Sequence, residues 1–365
     1  MRIAEVWGTT LAEVELDDAH WLQGDDTYHQ LSQRRVAHGH HNLVCLINQD
    51  ERKFGWRDGV QYEFFPADPG ASGQFGPRST EMLSFLAGWR PDVLLLHSAN
   101  RIQTLLCLRE RVPGTRYILT SNSAATTGIV LDEIAHDPGL VSACTFKAQI
   151  VRDHFCAQTG YPKAHTQVLP SGIDLEQFKP LALEKDLEGI WVGYMRANNY
   201  RKKNLPLLLE AFRGLEARLL IVGRGHAMAR LQRAAPSNVI FCGFVERRRL
   251  PHLLARSKMF IQPSLFDPAP RAVSEALACG LPVVGLCKGY GTEEQILDGV
   301  NGYRVNTLAE MREAVQSLLV DDQLRQRMGR ESRSIAERHF NVDAIDHKLE
   351  GLLKEIVSRD PTAHC

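Results

Sequence analysis

Two carboxylates eight positions apart, Asp267 and Glu275, are the residues of this chain best placed for chemistry. They stand in Ser264-Leu265-Phe266-Asp267-Pro268-Ala269-Pro270-Arg271-Ala272-Val273-Ser274-Glu275-Ala276-Leu277-Ala278-Cys279-Gly280-Leu281-Pro282-Val283-Val284. The prolines around Asp267 predict a loop, whereas Ala272, Val273, Ala276 and Leu277 around Glu275 predict a short helix. A helix that is apolar nearly all round is buried. A carboxylate inside one costs several kcal/mol unless something hydrogen-bonds it, and sugar or ribose hydroxyls would do so. The helix is expected to stop at Gly280 and feed a strand, Pro282 to Leu286. A loop–helix–strand of this kind offers backbone N–H groups and a positive dipole end to a phosphate. Two acids for hydroxyls and a helix start for phosphate point to a nucleotide-sugar pocket. The plainer alternative is a buried helix with one satisfied Glu.

A phosphate site also needs fixed positive charge beside flexible backbone. Gly193-Tyr194-Met195-Arg196-Ala197-Asn198-Asn199-Tyr200-Arg201-Lys202-Lys203-Asn204 supplies it between a strand and a helix, with Asn204 a favoured N-cap. The alternative is a solvated cationic loop. Gly223-Arg224-Gly225 begins like a dinucleotide fingerprint, but Met228 stands where the third Gly would be, so it is weak evidence for NAD. His97 ends the run Val93–Leu96, at a strand C-terminus where α/β sites form; ligand contact and a structural role both stay open for it. Asp132-Glu133-x-x-His136 lacks the order of a zinc motif, and Arg247-Arg248-Arg249 reads as a solvated helix face.

The acid-x7-acid stretch resembles the signature of the retaining glycosyltransferases of family 4, which have the GT-B fold. Their usual pattern has Glu at both acid positions, so Asp267 is one methylene short, and Pro270-Arg271 replaces a common Phe-Gly. Other segments fit in the same order. Pro170-Ser171-Gly172-Ile173-Asp174 with Phe178 and Pro180 resembles the segment that closes the family's first domain. Lys203 matches the Lys that binds the donor diphosphate; Tyr194 occupies the usual Arg position, and Arg196 or Arg201 is expected to take over that role. Gly223 and Gly225 match an element beside the nucleotide, and Gly243-Phe244-Val245 a segment whose backbone meets the base. Gly289 to Ile296 resembles a glycine-rich turn facing the donor, while Asp298 to Gly302 reads as a turn plus hairpin.

The resemblance implies catalytic roles for Asp267 at the sugar, Lys203 at the diphosphate and Glu275 at the ribose. It adds Gly24, Pro268, Ala269, Pro270, Arg271 and Val245 to the donor-binding set, and His97 and Asn122 as acceptor-binding residues. The first half departs further from the family. Asp25 follows Gly24 and would repel a phosphate, and Asn122 stands where a His is common. The implied reaction is sugar transfer from a nucleoside diphosphate sugar, UDP-sugar first and GDP-sugar next, to a hydroxyl of a small molecule or glycan. Retention, no metal and no cofactor beyond the donor co-substrate are implied with it. The rivals are a nucleotide-sugar epimerase and a non-catalytic partner subunit of the same fold.

Apolar runs alternating with helical patterns must position these groups. They predict an α/β fold; with the resemblance, this becomes two Rossmann-like parallel-sheet domains of GT-B type facing a central cleft. Strands are expected at Ile3–Trp7, Asn42–Ile47, Val93–His97, Tyr117–Thr120 and Thr166–Leu169, with a helix from Thr27 to Ala37. The expected domains are residues 1–183, joined by a terminal helix within 341–365, and residues 184–340, with a linker near 181–187. A chain of 365 residues accommodates two such domains. Its 43 basic and 43 acidic residues leave no global field for nucleic acid. Eight cysteines without a C-x-x-C pair, no signal-like N-terminus and no long apolar run predict a cytoplasmic protein with no transmembrane segment.

Overall fold

The computed structural model describes residues 1–10, 27–48, 51–69, 78–97, 102–121, 128–195, 202–287 and 292–359. The chain forms two compact units, Met1–Leu169 with Asp346–Cys365, and Pro170–Ile345.

The first unit holds an eight-stranded sheet in the order β3-β4-β2-β1-β5-β6-β7-β8. Its strands are β1 (Arg2–Thr10), β2 (His41–Asn48), β3 (Lys53–Arg57), β4 (Val60–Pro66), β5 (Val93–Leu96), β6 (Arg116–Ser121), β7 (Ala143–Phe146) and β8 (Thr166–Val168). All neighbours pair in parallel except β3 with β4. β5 is a continuous apolar run, as a strand buried on both faces requires, whereas β1 interrupts its run with the buried Glu5. Helices α1 (Thr27–Ala37), α2 (Thr80–Trp89), α3 (Ile102–Arg111), α4 (Gly128–His136) and α5 (Gln149–Thr159) connect them. The β3–β4 hairpin and β7 are additions to the expected strands. Asp58-Gly59 makes the hairpin turn, with φ of 49° and 78°, because right-twisted strands favour turns with positive φ at both central residues.

The second unit holds a six-stranded parallel sheet, β11-β10-β9-β12-β13-β14. The strands are β9 (Leu187–Val192), β10 (Leu219–Val222), β11 (Val239–Gly243), β12 (Ser257–Gln262), β13 (Val283–Leu286) and β14 (Gly302–Val305). Alternate strand residues feed two cores, one on each face. Trp191, Ile221, Ile261 and Val284 pack with α6 (Leu205–Phe212) and α10 (Leu308–Val320). Ile190, Val222, Phe260 and Val283 pack with α8 (Leu250–Arg256) and α9 (Arg271–Ala278). The remaining helices are α7 (Met228–Ala234), α11 (Asp322–His339) and α12 (Val342–Ser358). Among the described residues no helix is long and apolar enough to cross a membrane.

Four local expectations change. The division differs from the expected 183/184 over residues 170–183. Phe178 is fully buried in a core of the second unit, and Ile173 pairs with Asn341 there. The stretch near 181–187 is not a free linker either, since Lys185 donates to the Ser257 carbonyl at 2.7 Å and Asp186 pairs with Arg256. Residues 298–302 do not open a hairpin, because β14 runs parallel to β13. Asn204 does precede α6, but in the left-handed region (φ 53°) with no side-chain capping bond.

Helix α12 returns the chain to the first unit. Leu352, Leu353 and Ile356 bury against Ile3, Val93, Leu95, Ile118 and Ala143. His38 and His40 lie 2.8 and 2.5 Å from the carboxylates of Asp346 and Glu350.

Gly223 is the tightest point of the second sheet's rim. Its φ is 138°, and a Cβ there would lie 1.8 Å from the backbone oxygen of Gly193. Gly223→Ala is therefore expected to destabilise the protein by at least ~2 kcal/mol, measured as a lower urea midpoint with unchanged m-value.

Candidate active site

The order of the second sheet places a topological switch point between β9 and β12. The chain runs outward from β9 through β10 to β11, and the other way from β12 through β13 to β14. In such sheets the crevice beyond the carboxyl ends of the two diverging strands is where ligands bind. The loop after β9 carries Lys203, and the loop after β12 carries Asp267. The Leu265 amide donates to the Lys202 carbonyl at 2.8 Å, which stitches the two loops together. Beside that bond the Lys203 ammonium pairs directly with the Asp267 carboxylate. Thr292 fixes the same loop from the β13 side, its hydroxyl donating to the Asp267 carbonyl at 2.7 Å.

Glu275 lies on α9, buried as its apolar neighbours require. Its Oε1 accepts from Arg247 Nη1 at 2.5 Å and from Arg271 Nε at 2.9 Å. Its Oε2 has no partner among the described residues. Arg271, expected at the donor, thus spends one N–H on Glu275 one helical turn away. Pro270 starts α9 and its carbonyl accepts from Val273 and Ser274. The same carbonyl accepts from the Gln295 amide at 3.2 Å, which also donates to Ser274 Oγ at 2.8 Å. Pro268 and Ala269 are half-buried between these anchors.

Arg247 corrects the expectation of a solvated basic face. It is only 14% exposed and its guanidinium lies 4.7 Å from the centre of the Phe178 ring, whereas Arg248 is 73% exposed. The signal was in the local alternation: Val245 and Arg247, two residues apart after β11, both turn inward. Sequence reasoning also passed over the side chains of Arg224 and Phe244. The Arg224 guanidinium stacks 4.8 Å from the centre of the half-exposed Phe244 ring. Gly223 and Gly225, both at strongly positive φ, bring the backbone of this corner close, and the Gly223 amide bonds the Gly243 carbonyl at 2.8 Å. Val245 is half-buried and packs on the core beside Leu250.

Of the other expected residues, Gly24, Asn122, Arg196 and Arg201 lie outside the described residues, as do Asp25 and the turn Gly289–Gly291. Tyr194, at the usual Arg position, is 39% exposed.

Residues 183–335 match the family model described as glycosyl transferases group 1. This stretch is thus similar to the domain that the family shares. Spore coat protein SA of Bacillus subtilis is 23% identical over 299 residues, which is 70% of this chain and 76% of that protein. A GDP-mannose-dependent alpha-mannosyltransferase of Mycobacterium tuberculosis is 27% identical over 57% of this chain and 59% of its own length. Among solved structures, sucrose-phosphate synthase from Thermosynechococcus elongatus superposes with a TM-score of 0.74 at 17% identity, covering 98% of this chain and 99% of that one. The Anabaena protein HepE, solved with UDP and glucose, gives a TM-score of 0.73 at 16% identity over 97% and 99%. The fold is thus that of the GT-B glycosyltransferases, with a parallel-sheet unit on either side of the 169/170 boundary. Lys203, Asp267, Arg247 and Glu275 all lie within the matched residues 183–335.

His97 belongs to the first unit and is held in a buried network. Its Nε2 lies 2.7 Å from Glu5 Oε2, and its ring stacks on Trp7 at a centroid distance of 4.1 Å. Glu5 Oε1 accepts from Ser32 at 2.7 Å and from Asn42 at 2.8 Å, and lies 3.2 Å from Arg35. With Glu5 ionised, His97 carries its proton on Nε2 and leaves Nδ1 as an acceptor. Burial alone would raise the Glu5 carboxyl, but the Arg35 charge, His97 and Asn42 outweigh it and hold it at about 2. Burial lowers His97 from its usual range, against the pull of Glu5.

Both shifts have the same sign for stability. A depressed carboxyl stabilises the fold above its unfolded value of 4.5 and stops doing so as pH falls towards about 2. A depressed histidine is protonated more readily in the unfolded chain, so acid again favours unfolding. The first unit is expected to lose stability as pH falls from neutrality. Glu5→Gln should flatten the acid limb below pH 4.5 and cost about 3 kcal/mol at neutral pH, because Arg35 loses its buried partner. Urea titrations at a series of pH values measure both effects.

Proposed function

We propose that this chain is a retaining, metal-independent glycosyltransferase using a nucleoside diphosphate sugar, UDP-sugar first and GDP-sugar second. The acceptor is a hydroxyl of a small molecule or glycan. The observation that carries this reading is the pairing of Lys203 with Asp267 at the switch point of the second sheet, beside the buried Glu275. Solved HepE with UDP and glucose and the GDP-mannose-dependent relative both support a nucleotide-sugar donor.

In this reading Glu275 takes ribose hydroxyls through its open oxygen. Asp267 takes hydroxyls of the sugar, and Lys203 meets the diphosphate. Lys203 is well placed to serve both anions, because an ammonium has three donors and a flexible stem. In the free protein it neutralises Asp267; with donor bound, it turns part of its charge to the leaving group. Fixed positive charge at the departing diphosphate stabilises the transition state more than the ground state. The bond from the anomeric carbon to the phosphate oxygen breaks while the acceptor oxygen bonds that carbon from the same face. The departing phosphate oxygen takes the acceptor proton. This route needs no separate protein base, so His97 and Asn122 are left to orient the acceptor.

Lys203→Ala should then lower kcat/KM by roughly 10²-fold and weaken donor binding, as loss of a charge-assisted contact does. Asp267→Asn should leave nucleotide affinity within about twofold while reducing transfer at least tenfold. Thermal-shift screening of donors, turnover assayed by mass spectrometry and the anomeric configuration of the product by NMR test the reading. An inverted product would refute the retaining mechanism, and donor binding without transfer to any acceptor would favour a non-catalytic subunit.

A further inference from the structure

A buried carboxylate on a helix can serve a ligand only if something fixes it, and two arginines converge on one oxygen of Glu275. Arg271 is its neighbour on α9, one turn away, and any helical Arg–Glu spacing of this kind brings the two together. Arg247 comes from elsewhere, a short helical turn at Arg247–Arg249 that follows β11. Its Nη1 donates to Oε1 at 2.5 Å. Its Nε and Nη2 are buried and make no hydrogen bond, and its guanidinium carbon lies over the fully buried Phe178 ring, 4.7 Å from the ring centre. A cation held with two donors unspent against an aromatic floor is placed for one contact, and that contact is Glu275.

We propose that Arg247 is a positioning residue that fixes the Glu275 carboxylate by Oε1 and so presents Oε2 to a ribose hydroxyl of the donor nucleotide. The proposal rests on the reading that Glu275 binds the ribose. Two donors on one oxygen stop the carboxylate rotating, so the second oxygen meets a hydroxyl without reorganisation. Phe178 supplies the other constraint. With that ring beneath it, the guanidinium is confined on one side, which narrows the directions its single spent N–H can take.

The experiment measures binding of UDP and GDP to the full chain by calorimetry. The tighter of the two is then compared with its 2′-deoxy and 3′-deoxy counterparts. Wild-type protein is expected to lose at least about tenfold in affinity with one of the deoxy nucleotides, the loss typical of a hydrogen bond to a charged group. In Arg247→Met that discrimination should shrink to within about twofold, with ribose affinity falling and deoxy affinity nearly unchanged. Arg247→Lys should restore part of it, since an ammonium still reaches Glu275 as a point charge. Thermal unfolding of each variant shows whether it is folded, and Arg247→Lys carries the test if the Met variant is not. Wild-type protein that binds ribose and deoxy forms alike would overturn the reading of Glu275 itself. Discrimination in wild type that persists in full in Arg247→Met would overturn the role of Arg247 alone. Equal loss of ribose and deoxy affinity in Arg247→Met would instead mark a direct contact to phosphate or base, and would also overturn the positioning role.

Discussion

A carboxylate cannot sit inside an apolar helix without a partner, and much of the second unit is arranged around that constraint at Glu275. Helix α9 buries Val273, Ala276, Leu277 and Ala278 against the sheet, which fixes where the carboxylate must emerge. Arg271 reaches it from the same helix and Arg247 from the far side. Arg247 in turn needs the ring of Phe178, so the segment just after the unit boundary becomes part of the site. A charge placed by burial thus recruits a cation, and the cation recruits an aromatic floor. Breaking a buried pair on one side costs about 3–5 kcal/mol, so such a chain of dependence resists piecemeal change.

Lys203 and Asp267 obey a looser rule. Both are partly exposed, at 27% and 19% of their side-chain surface, so solvent screens the pair and little stability rests on it. That is what a site exchanging partners with a ligand requires. The Glu275 group is rigid because it is buried, and the Lys203–Asp267 group is exchangeable because it is not. The two differ in burial more than in chemistry, and burial follows from position: mid-helix for Glu275, loop tips at the switch point for the other two.

What was legible in the sequence follows the same division. The parallel strands were readable because strands buried on both faces are unbroken apolar runs, and α1 was expected over the residues it occupies, Thr27–Ala37. The β3–β4 hairpin was missed although Asp58-Gly59 is a strong turn signal, because β3 is a five-residue edge strand with only two apolar side chains, Phe54 and Trp56, both exposed. In the candidate site, Asp267 and Glu275 were singled out by type and spacing and Lys203 by its match to the family's diphosphate-binding Lys. Arg247 was not, since three consecutive arginines look alike in sequence and only packing distinguishes the one that turns inward. The Arg271–Glu275 contact was latent in the i to i+4 spacing, but the family resemblance had assigned Arg271 to the donor instead.

The two units answer the problem of a buried acid in related ways. Glu5 in β1 gathers Arg35, Ser32, Asn42 and His97, just as Glu275 in α9 gathers Arg247 and Arg271. The difference lies in what remains open. Glu5 has both oxygens engaged, Oε1 by Ser32 and Asn42 and Oε2 by His97, so its effect is passed on through the histidine ring. Glu275 has one oxygen doubly engaged and the other open. A fully engaged carboxylate orients a neighbour; a half-engaged one is itself the contact. On that argument the first unit's acid sets the tautomer of His97, whereas the second unit's acid keeps one oxygen open for a further donor.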